Sequence, residues 1–267
     1  MSHDPFLESY ESLKLKIKQY EVQKQIEFNK TLNDLRDNQF NSSFHNNYEG
    51  NIYQSKQSGP FQVTEYFNYD KIAITFLNTG YQMIARANNI NRGEVRDPYA
   101  ISIMGIGYIG VGPYRIDGSS FDRMIYSRWR GIIDRCYINK EGNKTMHPEW
   151  FNFQYFAAWF YSEFYLIPYC TMYDMCVDKD ILYPRNEEYS PYRCLIIPAF
   201  INSKVQLKSY DRMLMEKLDS QILSYSELNR LYRRKEAREN EIREMGVRYR
   251  NILPPHVYLA LENYKMF

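Results

Sequence analysis

The sequence lacks any run of eighteen or more uncharged apolar residues, which excludes an ordinary membrane-spanning helix. Its start, Met1 to Tyr10, carries acids where a secretory leader would carry bases and then an apolar stretch, so a cytoplasmic protein with no membrane partner is expected. Cysteine is scarce. Cys136, Cys170, Cys176 and Cys194 are too few for a disulfide-built scaffold, and no two form the C-x-x-C pair that announces zinc. Reduced thiols buried as small apolar side chains are one reading; the other is convergence on zinc with His147, since these residues flank one segment. His3, His45, His147 and His256 never fall at His-x-x-His or His-Glu-x-x-His spacing, so no helix face presents two imidazoles.

An excess of one charge is also missing. Lys and Arg total 34 against 32 Asp and Glu, a net +2, so any surface for a polyanion must come from local clustering. What is present is enough apolar material, 44% of 267 residues, to build the core of one large or two small domains. Tyrosine is abundant at 26 residues; its ring and hydroxyl suit half-buried surfaces and stacking platforms, but an AT-rich genome would enrich its codons equally.

Periodicity divides the chain into four parts and implies an α+β fold. Residues 1–45 hold a long polar helix with Phe6, Tyr10, Leu13, Ile17 and Tyr20 on one stripe. The stripe slips at Lys24 and resumes out of phase at Phe28, Leu32 and Leu35, which favours docking on the same chain over a dimer seam. Asn38 to Ser58 reads as a polar linker. Residues 50–118 form a candidate DNA-binding β-module with strands at Phe61–Tyr66, Lys71–Leu77 and Tyr81–Arg86, separated by turn-forming residues. Ile72, Ile74 and Phe76 alternate with Lys71, Ala73 and Thr75, so one face packs inward. Residues 119–205 carry every tryptophan and two helical patterns, Phe121 to Ile132 and Trp150 to Phe160. Residues 206–267 form a basic helical arm, with helices from Lys208 and Ser224, a capping box at Ser224 and Glu227, and a short helix after Pro254 and Pro255 that can fold back.

Gly105, Gly107 and Gly110 match G-x-G-x-x-G, but a dinucleotide site needs a strand before the glycines and a helix opening at once after them. Val111, Gly112 and Pro113 follow instead, so tight loop geometry is the better account.

A longer pattern is more specific. Tyr126 and Trp129 precede Arg135, Cys136 and Tyr137; then come Glu149, Trp150, Phe153, Phe156 and Trp159, then Val177, Asp178, Lys179, Asp180 and Ile181, and finally Tyr189, Ser190, Pro191, Cys194, Ile201 and Asn202. In this order they resemble a widespread group of phage-encoded HNH or homing endonucleases. Thr79 to Tyr81, Arg92 to Pro98, the glycine segment and the basic arm share the likeness, which spans Gly50 to Tyr264 and leaves the N-terminal helix outside it.

The resemblance implies a degenerate HNH-like core of two strands and a helix, in which an Asp and an Asn hold one Mg2+ on the scissile phosphate of double-stranded DNA while a His activates water. It implies Asp178 and Asn202 as metal ligands and Lys179 at the place of the general base. A protonated lysine accepts no proton at neutral pH unless burial depresses its pKa heavily, and Cys194 stands where the metal-binding Asn belongs. The fold can therefore persist without cutting. Without the resemblance, Asp178 and Asp180 alternate to opposite faces of a strand, either can cap the following turn, and Lys179 can pair with phosphate or with Glu187.

DNA binding draws on bases throughout. Lys71, Arg86, Arg92 and Arg96 belong to the β-module, Arg123, Arg128, Arg130 and Arg135 to the core, and Arg233 and Arg234 to the arm. Such groups neutralise phosphates, and Thr75, Gln82 or Arg86 could reach base edges from a sheet of major-groove width. Interleaved acids leave solvated, salt-bridged helices as the alternative. The competing function is a phage interaction protein that meets a host protein through its tyrosine-rich surface and N-terminal helix.

Overall fold

The computed structural model describes residues 8–38, 47–139, 142–206 and 209–266, which fold in an α+β architecture of helices and small, mostly antiparallel sheets. His3, Phe6, His45 and Lys208 lie outside the described residues.

Helix α1 (Tyr10–Asp37) begins where the Ser9 hydroxyl accepts the backbone N–H of Ser12, an N-cap that satisfies one otherwise orphaned donor. Tyr10, Leu13, Ile17, Phe28, Leu32 and Leu35 are all buried or half-buried while Tyr20 of the expected stripe is exposed, so the buried face runs past Glu21 instead of Tyr20 and does not slip. Ile17 and Phe28 are separated by about three helical turns and share a face. Between them Glu21 accepts a 3.0 Å hydrogen bond from Tyr99. Tyr10 and Lys14 both donate to Glu149, at 3.2 and 2.7 Å, and Arg36 clasps Glu65 at 2.7 Å. The helix docks on its own chain, the expected outcome, although the slip from which it was inferred is absent.

The β-module is a four-stranded antiparallel meander of β1 (Ile52–Ser55), β2 (Gly59–Asn68), β3 (Lys71–Phe76) and β4 (Gln82–Ala85). Strand β1 lies within the segment expected to be a linker; its outer residues are exposed, so no hydrophobic alternation betrays it. Ile72, Ile74 and Phe76 face inward onto Phe61, Val63 and Ile90, as the alternation predicts. Helix α2 (Ala87–Arg92) closes the module and ends at Gly93 in the left-handed conformation, φ 64°, which costs glycine no steric penalty.

Gly105, Gly107 and Gly110 sit in a loop with neither a preceding strand nor an opening helix. A Cβ at Gly107 would lie 2.7 Å from the Trp129 ring, and one at Gly110 would collide with the Asn152 carboxamide. The glycines let the loop approach the core.

That core is aromatic. Helix α3 (Ser120–Ile133) opens with a capping box of Ser119 and Asp122 and buries Met124, Ile125, Trp129 and Ile132. It runs into a π-helical turn, Asp134–Ile138. After β5 (Thr145–Met146), helix α4 (Phe153–Glu163) packs Phe153 against Trp129, and Phe156 and Trp159 against Trp150. Strands β6 (Met175–Asp178) and β8 (Leu195–Pro198) pair antiparallel, and helix α5 (Ala199–Val205) follows directly; β7 (Glu188–Tyr189), in the intervening loop, pairs parallel with β5.

Every residue of β8 is buried because it separates two cores. Ile196 belongs to the tryptophan side, whereas Leu195 and Ile197 join Ile201, Leu214, Leu231, Ile242 and Leu261. The carboxy-terminal helices α6 (Ser209–Asp219), α7 (Tyr225–Tyr249) and α8 (Pro255–Glu262) are thus built onto the β6–β8–α5 unit through one shared core. The expected capping box forms between Ser224 and Glu227, and α8 folds back so that Arg250 meets Glu262 at 2.6 Å.

Candidate functional site

Strand β6, its following turn, Tyr189 of β7, α5, α6 and the chain after α8 enclose a cleft of about 1030 Å³. Asp178, Lys179, Asp180 and Asn202 all line it, as do Arg135 and Arg212. The residues expected to carry hydrolysis, Asp178, Lys179 and Asn202, therefore share one concavity.

Asp178 ends β6 and is buried. Its Oδ1 accepts the backbone N–H groups of Asp180 and Ile181, each at 2.9 Å, so it caps the turn. Burial, and after it the charge of Asp180, raise its pKa to about 7 against the pull of those hydrogen bonds and of Lys179. The strand stops at Asp178, so the alternation that would point Asp178 and Asp180 to opposite faces does not apply. Both carboxylates line the same cleft.

Lys179 is buried. Its ammonium donates to Asp180 Oδ1 at 2.7 Å and to the Asn186 carbonyl, with the Tyr189 ring 6.0 Å away. Its partner is Asp180, and Glu187 is not the group it takes. A charged ammonium has no lone pair to accept a proton, and here it ties the two ends of the loop between β6 and β7. Asn186, not singled out from the sequence, completes the tie: its amide donates to the carbonyls of Lys179 and Glu188 at 3.1 and 2.6 Å.

Asn202 is half-buried on α5, and no described residue takes a hydrogen bond from its carboxamide. Cys194 is buried, and burial pushes its thiol pKa strongly upward, which keeps it neutral and unsuited to hold a metal.

Among the described residues no three His, Cys, Asp or Glu side chains gather as metal donors, whereas a structural zinc site uses four such ligands. Magnesium has a lighter requirement, one or two carboxylates with waters and substrate phosphate oxygens. Asp178 and Asn202, a carboxylate and a carboxamide, line the same cleft and are of the donor types such a site uses.

The proposed DNA-binding residues fall into three sets. Arg86 pairs with Asp70 at 3.6 Å, Arg123 donates to Ser120 Oγ at 3.2 Å, Arg128 donates to the Tyr173 carbonyl at 2.6 Å, and Arg234 is paired with the buried Asp211. Lys71, Arg92, Arg96 and Arg233 are exposed and, among the described residues, meet no carboxylate. Arg130 and Arg135 lie over the rings of Tyr126 and Tyr189, at 5.8 and 5.4 Å. Gln82 spends its amide on Thr75 at 3.2 Å, which withdraws both from the base-reading face expected of the sheet.

Sequence reasoning missed Arg212, Asn186 and Tyr264 as members of the cleft. Nothing in their spacing could have marked them, because Arg212 and Tyr264 reach the cleft only through the packing of α6 and the chain after α8, and Asn186 only through the return of the loop between β6 and β7. No helix among the described residues is long and apolar enough to cross a membrane. Comparison with known proteins finds no matching family model, curated protein or solved structure.

Proposed function

We propose that the protein binds double-stranded DNA as a homing-endonuclease-like protein of the phage HNH type, with its hydrolytic step lost. One observation carries the reading: Asp178 at the end of a strand, Asn202 on the helix after the paired strand, and the guanidinium of Arg135 line one cleft. The order of strand, loop, strand and helix is the order in which an HNH core arranges its ligands, and the cleft offers a phosphate both a cation and a magnesium-binding pair. Magnesium, when bound there, supplies Lewis-acid polarisation of a phosphate oxygen. Asp178 and Asn202 would hold it, and the exposed bases of the β-module would position the duplex.

Loss of cutting follows from Lys179. Its ammonium is engaged by Asp180 and the Asn186 carbonyl, so the position of the general base offers a fixed cation where a proton acceptor is needed.

The test incubates purified protein with duplex DNA, with and without magnesium, and scores gel shift and cleavage separately over a salt series. A shift that weakens steeply with salt, without cleavage, is the expected result. Magnesium-dependent cleavage abolished by Asp178→Ala would restore an active nuclease, whereas absence of any shift at low salt would remove DNA and turn attention to a host-protein partner.

A further inference from the structure

Among the described residues, Arg135 and Arg212 of this cleft meet no hydrogen-bond acceptor or carboxylate. Lys179 is held by Asp180, and Arg185 is paired with Asp219. Arg135 projects from the π-helical turn that ends α3, a local widening often found where a helix aims a functional group. Its guanidinium lies 5.4 Å from the centre of the Tyr189 ring, and its Nε is buried with no hydrogen-bond partner. A buried donor left unsatisfied is costly, and a planar guanidinium presents paired donors at the spacing of two phosphate oxygens. Arg212, exposed on α6, lines the same cleft and likewise meets no carboxylate among the described residues. The two reach the cleft from elements far apart in sequence.

The geometry points to a seat for one phosphodiester oxyanion formed by Arg135 and Arg212, with the Tyr189 ring as the plate that holds Arg135. The inference rests on the DNA-binding reading and deepens it, since it names which cations take the backbone and how many phosphates enter. The exposed acids Glu187 and Glu216 also line the cleft, and their charge opposes a longer polyanionic track.

Titration of a short duplex into wild type, Arg135→Met, Arg135→Lys and Arg212→Ala over a salt series tests it. Arg135→Met keeps the aliphatic stem against Tyr189, and Arg212 is exposed, so melting curves should stay near wild type; if Arg135→Met unfolds, Arg212→Ala alone decides. Arg135→Met and Arg212→Ala are each expected to weaken binding about tenfold and to lower the salt slope by about one. Arg135→Lys should recover the slope but only part of the affinity, because it keeps the charge and loses the fork. Wild-type affinity and slope in Arg212→Ala and in any folded Arg135→Met overturn the seat while leaving DNA binding intact. If wild type binds no duplex, inorganic phosphate is titrated instead: binding lost in Arg135→Met or Arg212→Ala sustains the seat without the DNA reading, and no binding overturns both.

Discussion

The ammonium of Lys179 and the carboxylate of Asp180, adjacent in sequence, close a 2.7 Å ion pair whose cation also donates to the Asn186 carbonyl across the loop. The lysine thereby acts as a brace inside the candidate site. Replacing it with Met should leave Asp180 and that carbonyl unpaired and cost about 1–3 kcal/mol. Urea midpoints measure the loss; a midpoint equal to wild type would show that the brace contributes nothing.

Asp178 should make stability fall as pH rises. Its folded pKa, near 7, stands above the ordinary value of 3.8, so between about pH 4 and pH 7 the unfolded chain has released a proton that the folded chain still binds. The folded state loses on the order of 1 kcal/mol for each pH unit in that window and nothing further above it. Asn at this position can still accept the two backbone N–H groups, so Asp178→Asn should lack this slope and be more stable than wild type near pH 8. Parallel stability profiles for the two proteins from pH 4 to pH 8 would refute the burial effect.

The carboxy-terminal helices depend on Asp211. It is buried and receives Arg234 together with Arg238, the latter at 3.5 Å, while Arg238 also donates to the carbonyls of Lys204 and Val205 at 2.8 and 3.0 Å. Asp211→Ala strands the largely buried Arg238 cation and should cost about 3–5 kcal/mol. Arg233→Ala, on an exposed neighbour, should stay within about 0.5 kcal/mol. Equal effects of the two variants in thermal melts would contradict the buried ion-pair network.

Gly107 discriminates packing from phosphate binding. An added Cβ meets the Trp129 ring at 2.7 Å and Ile133 at 2.9 Å, both fully buried, so Gly107→Ala should lower the melting temperature by several degrees, a cost of about 1–3 kcal/mol. Gly105→Ala differs in kind: its Cβ meets nothing, but φ is 70°, so backbone strain alone should cost about 1 kcal/mol. Tryptophan fluorescence should shift in the first variant and not in the second.

Local signals made much of this legible beforehand. The alternation of Ile72, Ile74 and Phe76 located a strand and its inward face, and Ser224 with Glu227 located the start of α7, because each depends on neighbours within a few residues. Strand β1 was not legible, since an edge strand of four residues with exposed Ile52 is defined by its hydrogen bonds to β2 alone. The stripe of α1 breaks at Lys24 on apolar periodicity alone, because the face is continued at Glu21 by a polar residue that accepts from Tyr99. At the site, sequence order marked Asp178, Lys179 and Asn202, whereas the partners of Lys179 and the contribution of Arg212 had no local signature.

Composition and periodicity by themselves determined that this chain folds as α+β around an aromatic core, because burial of apolar stripes and capping of helix ends are short-range consequences of residue order. Tertiary structure alone decided which charges are spent and which are left over. Whether Arg234 finds Asp211, or Arg135 finds no acceptor, depends on long-range packing that brings together side chains far apart in sequence, and on the desolvation that makes each pairing, or its absence, matter energetically.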